Sequence, residues 1–140
     1  MAREDKLTIE QKKIEYYSDF LNDFDKNPVT GFLARVTNEE SVKQSIKNII
    51  LTGRGERFYN PYFGSTVRSS LFDPMIDTTF IAIKESIIES INNFEPRADL
   101  KAVIVTPYKD TNDVFVKIVF GVKNYIEDQF SLELTISRLR

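Results

Sequence analysis

A helical repeat of apolar residues runs straight into a proline, and the chain changes period on the far side. From near Asp77 to Asn93 the side chains of Phe80, Ile83, Ile87, Ile88, Ile91 and Phe94 fall on one helical face, until Asn92-Asn93-Phe94-Glu95-Pro96-Arg97 stops the helix. Three strands follow, Ala102 to Tyr108, Val114 to Val122 and Phe130 to Leu139, with Lys109 to Asp113 as a hairpin connection. In the last strand Phe130, Leu132, Leu134 and Ile136 alternate with Ser131, Glu133, Thr135 and Ser137, the pattern of an antiparallel sheet with one wet face.

Upstream lies a second helix. Thr37-Asn38-Glu39-Glu40 reads as a capping box, Val42, Ile46, Ile49 and Ile50 form an apolar stripe, and Gly53 suits a left-handed turn after the helix end. Helices first and strands later give an α+β fold, with two main helices packed on one face of a small antiparallel sheet. At 140 residues the chain has room for one such domain, expected over 38–140. Residues 1–37 form an N-terminal arm and linker. There Tyr16, Tyr17, Phe20 and Phe24 recur at helix-like spacing among Arg3, Lys6, Glu10, Lys12, Lys13, Glu15, Asp19, Asp23 and Asp25. Two readings stay open: an arm ordered only against a neighbour, or a short helix packed on its own domain.

Composition removes whole classes of chemistry. Cysteine and histidine are both absent, which excludes disulfides, the usual zinc sites, thiol nucleophiles and Ser-His couples. A net charge of −2 argues against nucleic acid, whose phosphates call for a basic surface. No stretch has the length and apolarity to span a membrane, and no cofactor is expected. The loop from Thr52 to Ser65 is rich in glycine, arginine and aromatics, but it lacks the terminal Lys-Ser/Thr of a phosphate loop. Its residues Arg54, Gly55, Arg57, Pro61, Phe63 and Gly64 are expected to brace the Glu-Pro-Arg corner. Glu95, Pro96 and Arg97 are expected to project from that corner as a docking point, the plain alternative being a solvated helix stop.

Ser45-Ile46-Lys47-Asn48-Ile49-Ile50-Leu51-Thr52, the Arg54-Gly55-Glu56-Arg57 turn, Asn60-Pro61-Tyr62-Phe63-Gly64, Leu71-Phe72-Asp73 and Phe94-Glu95-Pro96-Arg97 together resemble one family. It is the family of small baseplate wedge proteins of contractile-tailed phages, sheath initiators formerly called lysozyme-like, with relatives in type VI secretion and other contractile injection machines. The resemblance spans about residues 38–139, with the motifs in family order. It implies a structural virion protein, several copies per baseplate, synthesised and assembled in the host cytoplasm. It also implies that Glu95, Pro96 and Arg97 contact the core bundle of larger wedge subunits. The strand carrying Phe130, Leu132, Leu134, Thr135 and Ile136 would bind the sheath protein by strand addition at an open sheet edge, the alternative being a strand inside the sheet.

The rival reading is a glycoside hydrolase of the tail. It needs two separated carboxyls, one with a raised pKa, and only Glu95 stands in a distinctive setting, beside an arginine that would lower its pKa. Asp73 and Asp77, either side of Pro74, read as helix-start residues. A third reading is an adaptor unrelated to tails.

Overall fold

The computed structural model describes residues 15–108, 113–124 and 128–137. In chain order its elements are β1 (Ser18–Phe20), β2 (Arg35–Thr37), α1 (Asn38–Leu51), α2 (Val67–Ser70), α3 (Asp77–Phe94), β3 (Ala98–Tyr108), β4 (Asp113–Val122) and β5 (Gln129–Ile136). The last three form an antiparallel sheet in the order β3-β4-β5, and β1 pairs with β2 in a separate antiparallel hairpin.

Strand β4 is central, with Val116 opposite Val105 on one side and Leu134 on the other. Its period-two pattern places Val114, Val116, Ile118, Phe120 and Val122 on the face that α1 and α3 cover, where all five are buried. The helices supply Val42, Ile46 and Ile50 from α1 and Ile83, Ile87 and Ile91 from α3 to the same core. Phe130, Leu132 and Leu134 pack against its margin, while Ser131, Glu133 and Thr135 face outward. Two helices on one face of a small antiparallel sheet is the expected α+β architecture.

Local details depart from expectation. Strand β3 starts at Ala98 instead of Ala102, because a bulge between Leu100 and Ala102 interrupts the alternation that marks a strand in sequence. The short helix α2, which buries Val67, was not expected. Tyr16, Tyr17, Phe20 and Phe24 do not mark a helix: residues 18–20 are strand β1, and Phe20 and Phe24 stay exposed, so no apolar helical face is there to bury. Gly53 does not take the left-handed turn. Helix α1 ends on Thr52, whose extended backbone and Oγ1 both donate to the carbonyl of Asn48, and positive φ falls on Gly31, Gly55 and Gly64 instead.

The capping box at Thr37 is not made. Thr37 belongs to the β2 ladder, opposite Ser18, and the helix start is organised by Asn38. Asn38 is buried with φ of +52°, a conformation that asparagine tolerates better than most residues. Its Oδ1 accepts from the amides of Tyr16 (2.9 Å) and Tyr17 (3.3 Å), and its own amide donates to the Tyr17 carbonyl (2.8 Å). One residue, through its side chain and its backbone N–H, thus ties the first position of α1 to the approach of the arm. Asn38→Ala is expected to cost about 2 kcal/mol by adding backbone strain to the lost hydrogen bonds. Asn38→Gly, which removes only the second contribution, should cost less, and urea denaturation of the two variants checks the difference.

Candidate partner-binding site

The turn from α3 into β3 brings Glu95, Pro96 and Arg97 together, but not as projecting charges. Pro96 is exposed, whereas Glu95 is only 2% exposed and faces inward. Its carboxylate is gripped by Arg97, Nε to Oε1 at 2.6 Å and Nη2 to Oε2 at 2.8 Å, a bidentate pair within one chain. The expected outward glutamate is therefore corrected. A carboxylate this buried needs a counter-charge within reach, and the proline turn sets Arg97 two residues away to provide it.

The pair is a junction of four segments. Arg97 Nη1 reaches Ser41 Oγ of α1 at 3.3 Å, and the guanidinium lies 5.4 Å from the ring centre of Tyr17 in the arm. The Lys123 amide, just past β4, donates to the Arg97 carbonyl (2.9 Å), and Asn124 Nδ2 donates to Tyr17 Oη (2.9 Å). Burial alone would raise the Glu95 pKa. Hydrogen bonds from Arg97 and Ser45, with the Arg97 charge, outweigh it and hold the carboxyl below its ordinary value of 4.5. The hydrogen bond to Glu95 raises the pKa of Arg97 despite its burial. A carboxyl held ionised, both oxygens occupied, cannot act as a general acid near neutrality. Asp73 and Asp77 lie exposed on the surface, and the described residues contain no cluster of metal-binding side chains.

The loop between α1 and α2 packs against the residue preceding this corner. It is built from three tight turns, 53–56, 57–60 and 60–63, each closed by a backbone hydrogen bond, with Gly55 in the left-handed conformation and its amide bonded to the Pro61 carbonyl at 2.8 Å. Phe63 packs on Phe94 with ring centres 5.0 Å apart, the Arg57 guanidinium lies 3.7 Å from the Phe63 ring centre, and Arg54 pairs with Glu89 of α3 at 3.0 Å. Three serines and a threonine that sequence reasoning passed over stitch the loop down. Ser65 Oγ donates to the Ile50 carbonyl, Ser90 Oγ to the Gly64 carbonyl, and the Thr66 amide and hydroxyl to Ser86 Oγ. Ser86 and Ser90 interrupt the apolar face of α3 one turn apart, and that spacing was their signal.

Residues 36–124 match the family of baseplate wedge protein gp25. The chain belongs to that family. It is 34% identical over 107 residues to baseplate wedge protein gp25 of Enterobacteria phage T4, covering 75% of this chain and 81% of that protein. The fold is shared with a Geobacter sulfurreducens protein provisionally named a tail lysozyme, at a TM-score of 0.65 and 27% identity over 73% of this chain and 92% of that one. It is shared also with a chain of the anti-feeding prophage baseplate, at a TM-score of 0.60 and 23% identity over 89% of this chain and 87% of that one. The matched region of the family takes in the Glu95–Arg97 pair, the turn-built loop and the central strand, but stops short of β5.

Two variants test this geometry. Gly64 has φ of +107°, and a Cβ there would lie 2.3 Å from the Thr52 carbonyl oxygen, so Gly64→Val is expected to cost about 3 kcal/mol, read as a fall in the urea midpoint. For the pair, Arg97→Ala leaves Glu95 buried without its counter-charge and should cost about 2 kcal/mol at pH 7, below the full value for a buried pair because Arg97 is 28% exposed. Because the Glu95 pKa is depressed on folding, the pair's contribution is complete above 4.5 and fades as the pH falls through the folded-state value. The gap between wild type and Arg97→Ala should accordingly narrow in acid, which denaturation curves at pH 7 and pH 3 would reveal.

Proposed function

We propose that this protein is a structural subunit of a contractile-tail baseplate that seats on larger wedge subunits through the Arg97 corner and offers the sheath protein a template strand at β5. The observation that carries the reading is the difference between the two edges of the sheet. Strand β3 is blunted by the bulge at Leu100/Ala102 and by Pro107, both devices that discourage pairing along an edge. Strand β5 has neither. It runs in unbroken register with β4 from Gln129 to Ile136, and among the described residues nothing pairs with its other side. An incoming strand would find a regular row of backbone donors and acceptors already held flat by the core beneath.

The corner supports the second contact in a modified form. Three of the Arg97 hydrogen bonds are spent on Glu95 and Ser41, which leaves N–H groups on both terminal nitrogens for a partner's carbonyls or carboxylate, with Pro96 exposed beside them. Glu95 acts from inside by holding the guanidinium in place. The names of the gp25 relative and of the prophage assembly support a place in the virion tail and a role that is not enzymatic.

Proline substitution tests the template. Successive N–H groups of an antiparallel strand point alternately toward and away from the paired neighbour, so of Leu134→Pro and Thr135→Pro one removes a bond to β4 and the other a group offered outward. The outward-acting variant is expected to melt like its control, Leu134→Ala or Thr135→Ser, and to enter baseplates, yet to give tails with no sheath in electron micrographs. Full-length sheath on particles that contain the stably folded variant would defeat the template reading.

A further inference from the structure

The turn-built loop presents more than it needs to brace the corner. Phe58 and Tyr59 occupy the centre of the 57–60 turn and are 97% and 103% exposed, and Tyr62, in the centre of the 60–63 turn, is 80% exposed. Such residues at the tips of polar turns cost solubility and bury little or no side-chain surface in the described structure. They are also held ready. The turns are cross-linked by the Gly55 amide, the loop ends are joined by the bridge of Gly53 to Ser65, and the ring of Phe63 fastens the whole to Phe94. A surface fixed in advance loses little entropy on binding, which is the condition under which exposed aromatics become anchors.

The charges say what fits there. Arg54 is paired with Glu89 and Arg68 with Glu56, but Arg57, placed over the ring of Phe63, has no carboxylate partner among the described residues. Arginine and tyrosine beside phenylalanine is the composition of an interface centre. An exposed cation without an anion beside aromatic rings calls for an acid flanked by apolar side chains.

We infer that Phe58, Tyr59 and Tyr62 with Arg57 form a second docking surface, which takes a segment of a neighbouring baseplate subunit carrying a carboxylate among apolar residues. This partner rests on the baseplate reading, though the surface is distinct from both the corner and β5.

The test uses the assembled particle, with a photo-crosslinking benzoylphenylalanine at Tyr59 or at Phe58, both fully exposed. The expected product joins this chain to a different tail protein, within a few residues of an Asp or Glu in an apolar stretch. Arg57→Glu, folded as judged by its melting curve, is expected to lower incorporation into particles about tenfold, as is Tyr59→Ser, and reversing the partner's acid to Lys should restore the Arg57→Glu chain. A crosslink to nucleic acid, to a basic segment or to a second copy of this chain would overturn the inference, as would undiminished incorporation of both variants. Crosslinker-bearing protein present in particles but silent at both positions would overturn this surface alone, whereas absence of the wild-type protein from particles would overturn the baseplate reading as well.

Discussion

A carboxylate buried inside a protein must be matched by charge and hydrogen bonds or it unfolds what surrounds it, and here Glu95 imposes that condition on four segments at once. Arg97 has to turn inward, so α3 must end where it does and β3 must leave at the angle the proline sets. Ser41 and Ser45 must face the same point, which fixes how α1 lies beside α3. Tyr17 and the residues after β4 close over the pair, so the arm and the sheet end are registered against it too. Removing the glutamate and the arginine together would be milder than removing either, since the difficulty lies in the unmatched charge.

From this junction a continuous mechanical path runs outward. Phe94 precedes Glu95 in the chain and meets Phe63, which carries Arg57 on its face. Gly64 follows Phe63 and comes so close to Thr52 that a side chain has no space. Loop, corner and both main helices are therefore tied to one another by direct contacts. The Glu95 carboxyl, its pKa lowered by Arg97 and Ser45, has both oxygens committed to holding the frame.

The parts of the fold that depend on period were legible in the sequence. The stripe from Phe80 to Phe94 and the alternation from Phe130 to Ile136 gave the helices, the sheet and the layer between them, because burying a face imposes its spacing on the residues that form it. What stayed hidden depends on partners far apart in the chain. Thr37-Asn38-Glu39-Glu40 satisfies every local rule for a capping box, yet Thr37 is held in the ladder with Ser18 and Asn38 is claimed by Tyr16 and Tyr17. The direction of Glu95 was illegible for the same reason, since charge at a helix end is ordinarily solvated and only the packing of α1 across it decides otherwise. Gly64 and Gly55 could be flagged as turn residues, but Gly53 resembled them equally, and the difference lies in which backbone passes close by.

The asymmetry of the sheet limits what it can build. With β3 interrupted and β5 in unbroken register, the two edges of the described sheet differ in how readily another strand can pair with them, which disfavours copies of this chain propagating a sheet among themselves edge after edge. A unit with one open edge can begin a polymer made of something else without becoming part of its repeat. On the proposed reading a polymer begun at β5 would also have a direction, since it would grow from one end of the assembly. Starting and polarity would then both follow from the backbone groups that β5 leaves unpaired among the described residues.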